Sequence, residues 1–385
     1  MSTFALGRSP SITSAVGAIS RLPTLLRDHE RTEAVLVIFD AALASAGIVS
    51  RVMDTLSRAD IHGRALMLPA GEPNESIIRA MLDPLLAEPP QAIVCIGGGS
   101  VMDAGKLIAC LCHGGEDISA YRLAARALPT RQALLICVPT TAGTGAEATT
   151  TSVIAQDDGI KNWFWHDGLK PDLVVLDPEL TVGLPAQFTA ETGMDALVHA
   201  IEAATNANAT DANNMFALRA VSLVESNLLR AVQNGADLEA RSGMQEAALL
   251  AGLAIDNAGT AVAHNIGHAL GSLAQVRHGR AVTIGMCATM DWCMEDHETV
   301  YDGVAAAMNV ETHLLSRAFG QLAVRAGVSL TLDAALTPDA LCAQMMQPEN
   351  MAMARSNRRP IREEDFLRLA RYTLDLTAPP LAAAV

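Results

Sequence analysis

The chain has 385 residues, which is enough for two domains; half of it is hydrophobic and only 18% is charged. Such a composition can fill substantial cores and argues against a disordered chain. The formal net charge of −15 disfavours nucleic acid and acidic membrane surfaces as partners, because polyanions are captured by basic patches. We therefore predict no nucleic-acid partner and no membrane partner.

Targeting and redox features point in the same direction. The stretch MSTFALGRSPSITSAVGAI has no basic head followed by a compact apolar run, so we expect no secretory signal. No window reaches about 18 uninterrupted apolar residues, and a transmembrane span is not expected. The 7 cysteines form no Cys-x-x-Cys pair, which fits buried, reduced thiols. Together these features predict a cytoplasmic protein.

Short apolar runs alternate with helical stretches through the first half of the chain. The runs that predict strands lie at 34–40, 64–70, 92–96, 133–139 and 172–177. A stretch between two of them, NESIIRAMLDPLLAE, has helical spacing, and Asn74 is its expected N-cap. Continuous apolar strands separated by helices are typical of a parallel sheet covered on both faces. We predict an α/β domain.

The character of the chain changes after residue 185. From Ala186 onward it is rich in Ala, Leu, Met and Glu and has few β-branched runs. Stretches such as MFALRAVSLVESNLLRAVQ and EARSGMQEAALLAGLAID predict helices packed into a bundle. We therefore predict an α/β domain over residues 1–185 and an all-α domain over residues 186–385.

The segment AIVCIGGGSVMDAGK (92–106) combines a strand, a glycine cluster and the start of a helix. Glycines let the backbone approach a ligand closely, and a helix N-terminus offers free N–H groups to a phosphate. The loop is not a Walker A motif, because Leu107 follows Lys106, and it lacks the third Rossmann glycine, because Met102 occupies that position. A tight turn without a ligand is the alternative for this loop alone.

A second loop, PTTAGTGAEATTTSVI (139–154), follows another apolar strand. It sets Thr140, Thr141, Thr144 and Thr149 among glycines. Hydroxyls and small residues at the carboxyl end of a parallel strand suit a ligand in the sheet crevice. Two such loops on one sheet favour a nucleotide site.

Histidines concentrate in one region of the second half. His264, His268 and His278 are three of the chain's 10 histidines, and the first two are four residues apart, as Asp195 and His199 are. Residues four apart project from one face of a helix. A carboxylate and imidazoles from separate helices favour a divalent transition-metal site, and without cysteine both Fe(II) and Zn(II) fit. The alternative is that each histidine is a hydrogen-bonded core residue.

The loops and the histidine pattern together carry a family resemblance. The segments concerned are GGGSVMDAGK, PTTAGTGAEATTTSVI, GMDALVHAIEA, HNIGHALGSLAQVRHG and NRRPIREED. With them the sequence resembles the iron-dependent (group III) alcohol dehydrogenase family, which includes lactaldehyde reductases and propanediol dehydrogenases. The resemblance implies a dehydroquinate synthase-like fold, with an α/β dinucleotide-binding domain and an all-helical metal-binding domain. It also implies a homo-oligomer, a dimer or larger.

The resemblance further implies a set of site residues. The metal would be bound by Asp195, His199, His264 and His278, with His268 beside it as a catalytic residue that orients substrate or relays a proton. The cofactor would lie along Gly98, Gly99, Ser100, Asp103, Thr140, Thr141, Thr144, Thr149 and Lys161. Asp40 would accept hydrogen bonds from the adenine ribose and repel a 2′-phosphate, which favours NAD(H) over NADP(H). The alternative for Asp40 is a plain strand-end turn.

The implied reaction is hydride transfer between NAD(H) and a small alcohol or aldehyde, with the metal as a Lewis acid. Three alternatives stay open: a dehydroquinate synthase-like lyase, a transhydrogenase on the same fold, and a catalytically silent metal-binding protein. A lyase for a phosphorylated acid requires several Lys and Arg around its pocket, and the site segments carry almost none apart from Arg277 and Arg280.

Three residues depart from the family pattern near the predicted pocket. Arg277 stands where the family usually has Pro before the last metal ligand. Ile255 replaces a frequent aromatic residue, and Asp256 follows it. We do not expect these changes to disturb the metal ligands, but they prevent the transfer of a named substrate.

Overall fold

The computed structural model describes residues 5–274, 276–332 and 335–377. Its strands are β1 (Ser11–Ser14), β2 (Val35–Asp40), β3 (Gly63–Leu68), β4 (Ala92–Gly97), β5 (Leu134–Pro139), β6 (Thr151–Ala155), β7 (Lys161–Trp165) and β8 (Leu173–Leu176). The helices of the first half are α1 (Leu22–Asp28), α2 (Ala41–Ser45), α3 (Ile48–Ser57), α4 (Glu75–Ala87) and α5 (Gly99–Leu111).

The second half is helical throughout its described residues. Its helices are α6 (Ala186–Thr205), α7 (Asp211–Gln233), α8 (Leu238–Ala258), α9 (Val262–Leu273), α10 (His278–Met294), α11 (Asp302–Ala307), α12 (Leu315–Ala326), α13 (Pro338–Met345), α14 (Pro348–Arg355) and α15 (Glu363–Thr377). In the ranges described above, no helix combines the length and the apolar character that crossing a bilayer requires.

The main sheet has the strand order β1-β8-β5-β4-β2-β3, and every pairing in it is parallel. Successive side chains of a strand point to opposite faces. In β2, Leu36 and Ile38 join the core that contains the α4 and α5 side chains, whereas Val35 and Val37 join the core formed with α1 and α3. Burial on both faces explains the continuous apolar strands, and the predicted parallel α/β architecture is confirmed.

A short antiparallel hairpin of β6 and β7 stands beside the main sheet. Ala155 also makes a bridge to Asn74, the residue whose side chain caps α4 by accepting a hydrogen bond from Ile77 N at 3.0 Å. The predicted cap at Asn74 is therefore present. Lys161 begins β7, so the hairpin carries a predicted cofactor residue to the carboxyl edge of the sheet.

The helical half is built around α6, which packs against α7, α8 and α10, while α9 packs against α10. Small residues bring α9 and α10 unusually close. A Cβ on Gly267 would lie 2.5 Å from Val282 Cγ1, and a Cβ on Gly285 would lie 2.5 Å from the Ala263 carbonyl oxygen. Glycine at these contacts sets the relative position of the two helices that carry His264 and His278.

Contacts with α8 join the two halves. A Cβ on Gly145, in the loop before β6, would lie 2.5 Å from Gly252 Cα of α8, and Gly145 has a φ of 59° that favours glycine. Gln245 of α8 donates a hydrogen bond to the Pro139 carbonyl oxygen at the end of β5. The carboxyl edge of the sheet therefore faces the helices that bear the histidines.

Candidate active site

Four polar side chains converge where α6, α9 and α10 meet. Asp195 and His199 lie one turn apart on α6, His264 lies in the first turns of α9, and His278 begins α10. Asp195 Oδ1 is 3.7 Å from His199 Nδ1, 3.7 Å from His264 Nε2 and 3.5 Å from His278 Nε2. One ligand atom from each residue lies within 4.8 Å of all the others.

The pattern of unmet hydrogen bonds indicates what this cluster fits. Asp195 Oδ1, His199 Nδ1 and His264 Nε2 are buried and have no hydrogen-bond partner among the described residues. Leaving buried polar atoms unpaired is costly, so native proteins usually satisfy them. One carboxylate and three imidazoles match the ligand preference of Fe(II) or Zn(II). The residues therefore fit a divalent metal ion.

The electrostatics of the cluster favour metal binding. Burial lowers the pKa of His199 to about 4 and the pKa of His278 to about 3, so both imidazoles are neutral at pH 7 with a lone pair to donate. Burial alone would raise the pKa of Asp195, but the surrounding imidazoles hold it below its usual value. The site thus presents an ionised carboxylate beside two neutral imidazoles, those of His199 and His278.

Glu202, one turn beyond His199 on α6, completes the cluster although sequence reasoning assigned it no role. Its carboxylate lies 2.6 Å from His264 Nδ1 and accepts hydrogen bonds from Ala261 N at 2.7 Å and Ala263 N at 2.6 Å. This contact fixes the imidazole with Nε2 toward Asp195. Burial opposes protonation of His264, but Glu202 and Asp195 raise its pKa to about 9. The spacing of Glu202 on the Asp195–His199 helix face was the available clue.

His268 lies one turn after His264 on α9, beside the four-residue cluster and outside it. Its ring centroid is 6.4 Å from that of His264 and 5.3 Å from that of His278. Burial and the neighbouring His278 hold the pKa of His268 well below its usual value. The imidazole is therefore neutral at pH 7, and its unprotonated nitrogen can orient a substrate or relay a proton without retaining it, which are the roles implied by the resemblance.

A cavity of about 470 Å³ runs from these histidines to the glycine loops. The predicted residues that line it are Gly99, Ser100, Asp103, Thr144, Thr149, Lys161, His199, His264, His268 and His278. The predicted residues outside the lining are Asp40, Gly98, Thr140, Thr141 and Asp195. Asp195 lies behind the histidines with 2% exposure.

The two glycine loops touch each other at the cavity. A Cβ on Gly99 would lie 2.8 Å from Thr144 Cγ2, and a Cβ on Gly98 would lie 3.3 Å from Thr141 Cγ2. Gly99 begins α5, whose first backbone N–H groups have no partner within the helix. The close approach leaves a small-residue surface next to a helix N-terminus, which suits a phosphate group.

A buried lysine that the sequence did not single out as a site residue holds these loops together. Lys106 is fully buried, and its Nζ donates to the Ala146 carbonyl oxygen at 2.8 Å, to Thr149 Oγ1 at 3.0 Å and to the Thr151 carbonyl oxygen. It therefore ties α5 to the second loop. Nearby, burial raises the pKa of Asp103 to about 6, although Lys106 favours its charged form.

Asp40 has a structural task at the end of β2. Its Oδ1 accepts a hydrogen bond from Leu43 N at 3.0 Å and caps α2. The strand-end turn offered as the alternative is therefore present, and a contact with a ribose stays a prediction. Lys161, by contrast, faces the cavity and pairs with Glu72 Oε1 at 2.5 Å.

Ile255 and Asp256, the two residues of α8 that depart from the family pattern, both line the cavity. Asp256 accepts hydrogen bonds from Thr150 N at 2.6 Å and Thr150 Oγ1 at 2.7 Å, and it forms an ion pair with the buried Lys170. Asp256 therefore ties the helical half to the α/β half beside the cavity wall.

The cavity lies at the carboxyl edge of a parallel sheet and is closed by helices that bear candidate metal ligands. This arrangement is typical of two-domain, metal-dependent enzymes, and comparisons with protein families agree with that class. Residues 9–178 match the family model described as iron-containing alcohol dehydrogenase, and residues 189–369 match the C-terminal model of the Fe-containing alcohol dehydrogenase family. The chain belongs to the iron-containing alcohol dehydrogenase family. It is accordingly an oxidoreductase, and the resemblance seen in the sequence is confirmed.

Individual relatives support this placement. An NAD-dependent methanol dehydrogenase of Bacillus methanolicus is 32% identical over 278 residues, which is 72% of this chain and 72% of the relative. A probable alcohol dehydrogenase EutG of Salmonella typhimurium is 36% identical over 248 residues, 64% of this chain and 62% of the relative. The crystal structure of a 1,3-propanediol oxidoreductase superposes with a TM-score of 0.87 at 27% identity, covering 97% of this chain and all of the other.

Proposed function

We propose that this protein transfers a hydride between NAD(H) and a small alcohol or aldehyde, in the cavity between its two domains. One observation carries the proposal: three buried, unpartnered ligand atoms and His278 meet at one end of a cavity whose other end is formed by the glycine loops. A metal centre and a phosphate-compatible surface that share one cavity favour a cofactor-dependent redox enzyme. The domains in this proposal are residues 1–185 and 186–385.

Asp195, His199, His264 and His278 hold the metal ion, which is Fe(II) by family and for which Zn(II) also fits the donor set. When bound, the ion supplies a Lewis acid that polarises the oxygen of the substrate. The Glu202 carboxylate accepts a hydrogen bond from Nδ1 of His264 and so orients the ring, which leaves Nε2 of His264 for the metal.

The α/β domain binds and orients the dinucleotide. The residues that we assign to this task are Asp40, Gly98, Gly99, Ser100, Asp103, Thr140, Thr141, Thr144, Thr149 and Lys161. The N-terminus of α5, next to Thr144, would hold the diphosphate, and Asp40 would favour NAD(H) by repelling a 2′-phosphate. Lys106 keeps the two loops in register through its three acceptors.

His268 handles the proton that accompanies hydride transfer. Its imidazole lines the cavity beside His264 and His278 and is neutral at pH 7. A neutral ring nitrogen accepts the proton of an alcohol and returns it in the reverse reaction. The helices bury His199 and His264, which excludes bulk water from that side of the site.

The competing lyase activity has less support. Among the described residues that line the cavity, Lys161 is the only Lys or Arg, and it pairs with Glu72. A phosphorylated acid would meet little positive charge from such a wall. Turnover with free NADH separates the proposal from the other two alternatives, because neither a transhydrogenase nor a silent metal-binding protein would show it.

We place the enzyme in the cytoplasm and propose that it forms a homo-oligomer. The reduced, mostly buried thiols support the location. β1 is an edge strand; its Ile12 and the nearby Val16 are 42% and 57% exposed, which supports an association that covers them. Light scattering with size-exclusion chromatography measures the mass in solution.

The decisive test follows NADH oxidation by a short aldehyde, using protein that has been stripped of metal and reloaded anaerobically with Fe(II). We expect turnover only after reloading, and none from His199→Ala treated in the same way. Absence of turnover with metal demonstrably bound, across several aldehydes, would reject the proposal.

A further inference from the structure

The four metal-site residues differ in how firmly the fold holds them. The Asp195, His199 and His264 side chains are 2%, 6% and 3% exposed, whereas the His278 side chain is 32% exposed. His278 is also the first residue of α10, so it has helix on one side only. Its place in the cluster therefore depends on what fixes the N-terminus of α10.

The residue directly before His278 makes that attachment. Arg277 grips Glu191 of α6 with two hydrogen bonds, Nη2 to Oε1 at 2.6 Å and Nε to Oε2. Its guanidinium also lies 4.8 Å from the centre of the Phe188 ring. A bidentate arginine–carboxylate pair fixes orientation as well as distance.

The next residue after His278 is packed against the same turn of α6. A Cβ on Gly279 would lie 2.1 Å from the Glu191 carbonyl oxygen and 3.4 Å from Asp195 Cβ. Glu191 itself precedes Asp195 by one turn and is 3% exposed. Contacts on both sides of His278 therefore fix its position relative to α6, the helix that carries Asp195 and His199.

We propose that Glu191 and Arg277 are positioning residues that set the affinity of the metal site by holding His278 against α6. This inference rests on the metal site of the proposed function. Arg277 is the only Lys or Arg that approaches the buried Glu191 carboxylate within 4.0 Å in the described part of the chain. Removal of the guanidinium leaves the buried carboxylate without a countercharge, with a hydrogen bond from Gln187 Nε2 at 3.3 Å remaining, and frees the first turn of α10.

The expected effect is large for a residue that touches no ligand atom of the metal. Loss of a residue that orients a metal ligand costs about 10- to 100-fold in metal affinity. Arg277→Ala and Glu191→Gln should each weaken binding to this extent. The double variant should be no worse than either single variant, because the pair acts as a unit. Arg277→Lys, which keeps the charge and loses the bidentate geometry, should recover part of the affinity.

The chain supplies a matched control in its other half. Arg122 grips the 1%-exposed Glu75 with the same bidentate geometry, at 2.5 Å and 2.6 Å. Arg122→Ala also removes a guanidinium from a buried glutamate, here in the α/β half, where Arg79 remains as a second partner 2.9 Å from Glu75. It should lower thermal stability and leave metal affinity unchanged.

The experiment titrates each metal-free variant anaerobically with Co(II), whose visible absorption reports binding and coordination, and measures Tm without metal. Weakened binding in Arg277→Ala and Glu191→Gln, with Arg122→Ala equal to wild type, supports the proposal. The proposal is overturned if Arg277→Ala and Glu191→Gln match the Co(II) affinity and spectrum of wild type. It is also overturned if Arg122→Ala loses as much Co(II) affinity as they do. If Arg277→Ala does not fold, Glu191→Gln and Arg277→Lys decide by the same criteria.

Failure of the metal site itself has a different signature. In that case wild type and His199→Ala would take up Co(II) equally, with no change of spectrum between them. A different result would reject only the role of Arg277. In that result wild type and Arg277→Ala bind Co(II) equally, whereas His199→Ala does not bind it, so the metal site itself is supported.

Discussion

The two ends of the cavity are built in contrasting ways. The cofactor end consists mainly of backbone and small residues, with Asp103 and Lys161 also in its wall: Gly98 and Gly99 touch threonines of the second loop, and the buried Lys106 ties α5 to that loop. The metal end consists of ionisable side chains from three helices; Glu202 contacts His264, and the Arg277–Glu191 pair lies next to His278. Shape defines the first end, and charge with directed lone pairs defines the second.

This difference teaches where each end is vulnerable. Added volume should damage the cofactor end, because its atoms already lie at contact distance. Removal of a polar partner should damage the metal end, because a buried group left unpaired is costly and misdirects a ligand. Substitutions at one end should leave the other end working, and five variants test that separation.

The largest effect is expected at the metal end itself. His264→Ala removes a ligand atom, so the metal and the turnover should be lost together, on the order of 10³-fold or more in kcat. NADH affinity should persist. Metal content, turnover and NADH fluorescence titration measure the three quantities, and His313→Ala on the surface serves as control. Full activity without bound metal would contradict the ligand assignment.

The next effect concerns the stability of the cofactor end. Glu147, in the second loop, is buried, and burial raises its pKa from 4.5 to about 7. The folded protein therefore keeps a proton that the unfolded chain releases, and the free energy of unfolding falls as pH rises from 4.5 to about 7. Glu147→Gln should remove that loss, about 2–3 kcal/mol between pH 5 and pH 8. Denaturant titrations at pH 5 and pH 8 measure it, and identical slopes with pH would contradict the assignment.

Glu202→Gln tests the orientation of His264. The substitution replaces the carboxylate with a neutral amide, which removes the negative charge next to His264 and two backbone N–H groups. Metal affinity should therefore fall by about 10- to 100-fold. NADH affinity should not change, because Glu202 does not line the cavity and its contacts are with Ala261, Ala263 and His264. Co(II) titration measures the change, and Glu246→Gln on the surface of α8 is the control. Unaltered affinity would show that His264 needs no such support.

Gly99→Ala tests the cofactor end by volume. The added methyl would lie 2.8 Å from Thr144 Cγ2, so the loops must separate where the diphosphate is expected. We expect a rise of about 10-fold in the KM for NADH, equivalent to about 1.4 kcal/mol, with Co(II) affinity unchanged. Gly183→Ala, whose Cβ meets no atom within 4 Å, is the matched control. Equal KM values in the two variants would place the cofactor elsewhere.

The smallest effect concerns cofactor choice. Asp40→Asn keeps an oxygen to cap α2 but removes the charge that repels a 2′-phosphate, so kcat/KM with NADPH should rise by roughly fivefold to tenfold, about 1 kcal/mol. Asp40→Ala should show the same rise and lose about 1 kcal/mol of stability with the cap. Steady-state rates with both cofactors provide the measurement. No gain with NADPH would reduce Asp40 to its capping role.

Much of the molecule was accessible from the sequence because the relevant information is local. Apolar strands without polar alternation predicted a sheet covered on both faces, and the change of composition near residue 185 predicted the helical half. The i,i+4 spacing brings Asp195 and His199 onto one helix face by geometry alone. Glycine and threonine at strand ends likewise predicted a ligand cleft before any fold was known.

Only the tertiary structure decided how separate segments meet. Glu202 reaches His264 of α9 and Glu191 reaches Arg277 before α10, contacts that no local spacing encodes because they depend on how three helices pack. Two further contacts also depend on packing: Lys106 of α5 donates to the second loop, and Asp256 of the helical half forms an ion pair with Lys170 of the α/β half. Local sequence sets helix faces and turns, whereas the partner of a buried charge is chosen by the assembled fold, which must neutralise it.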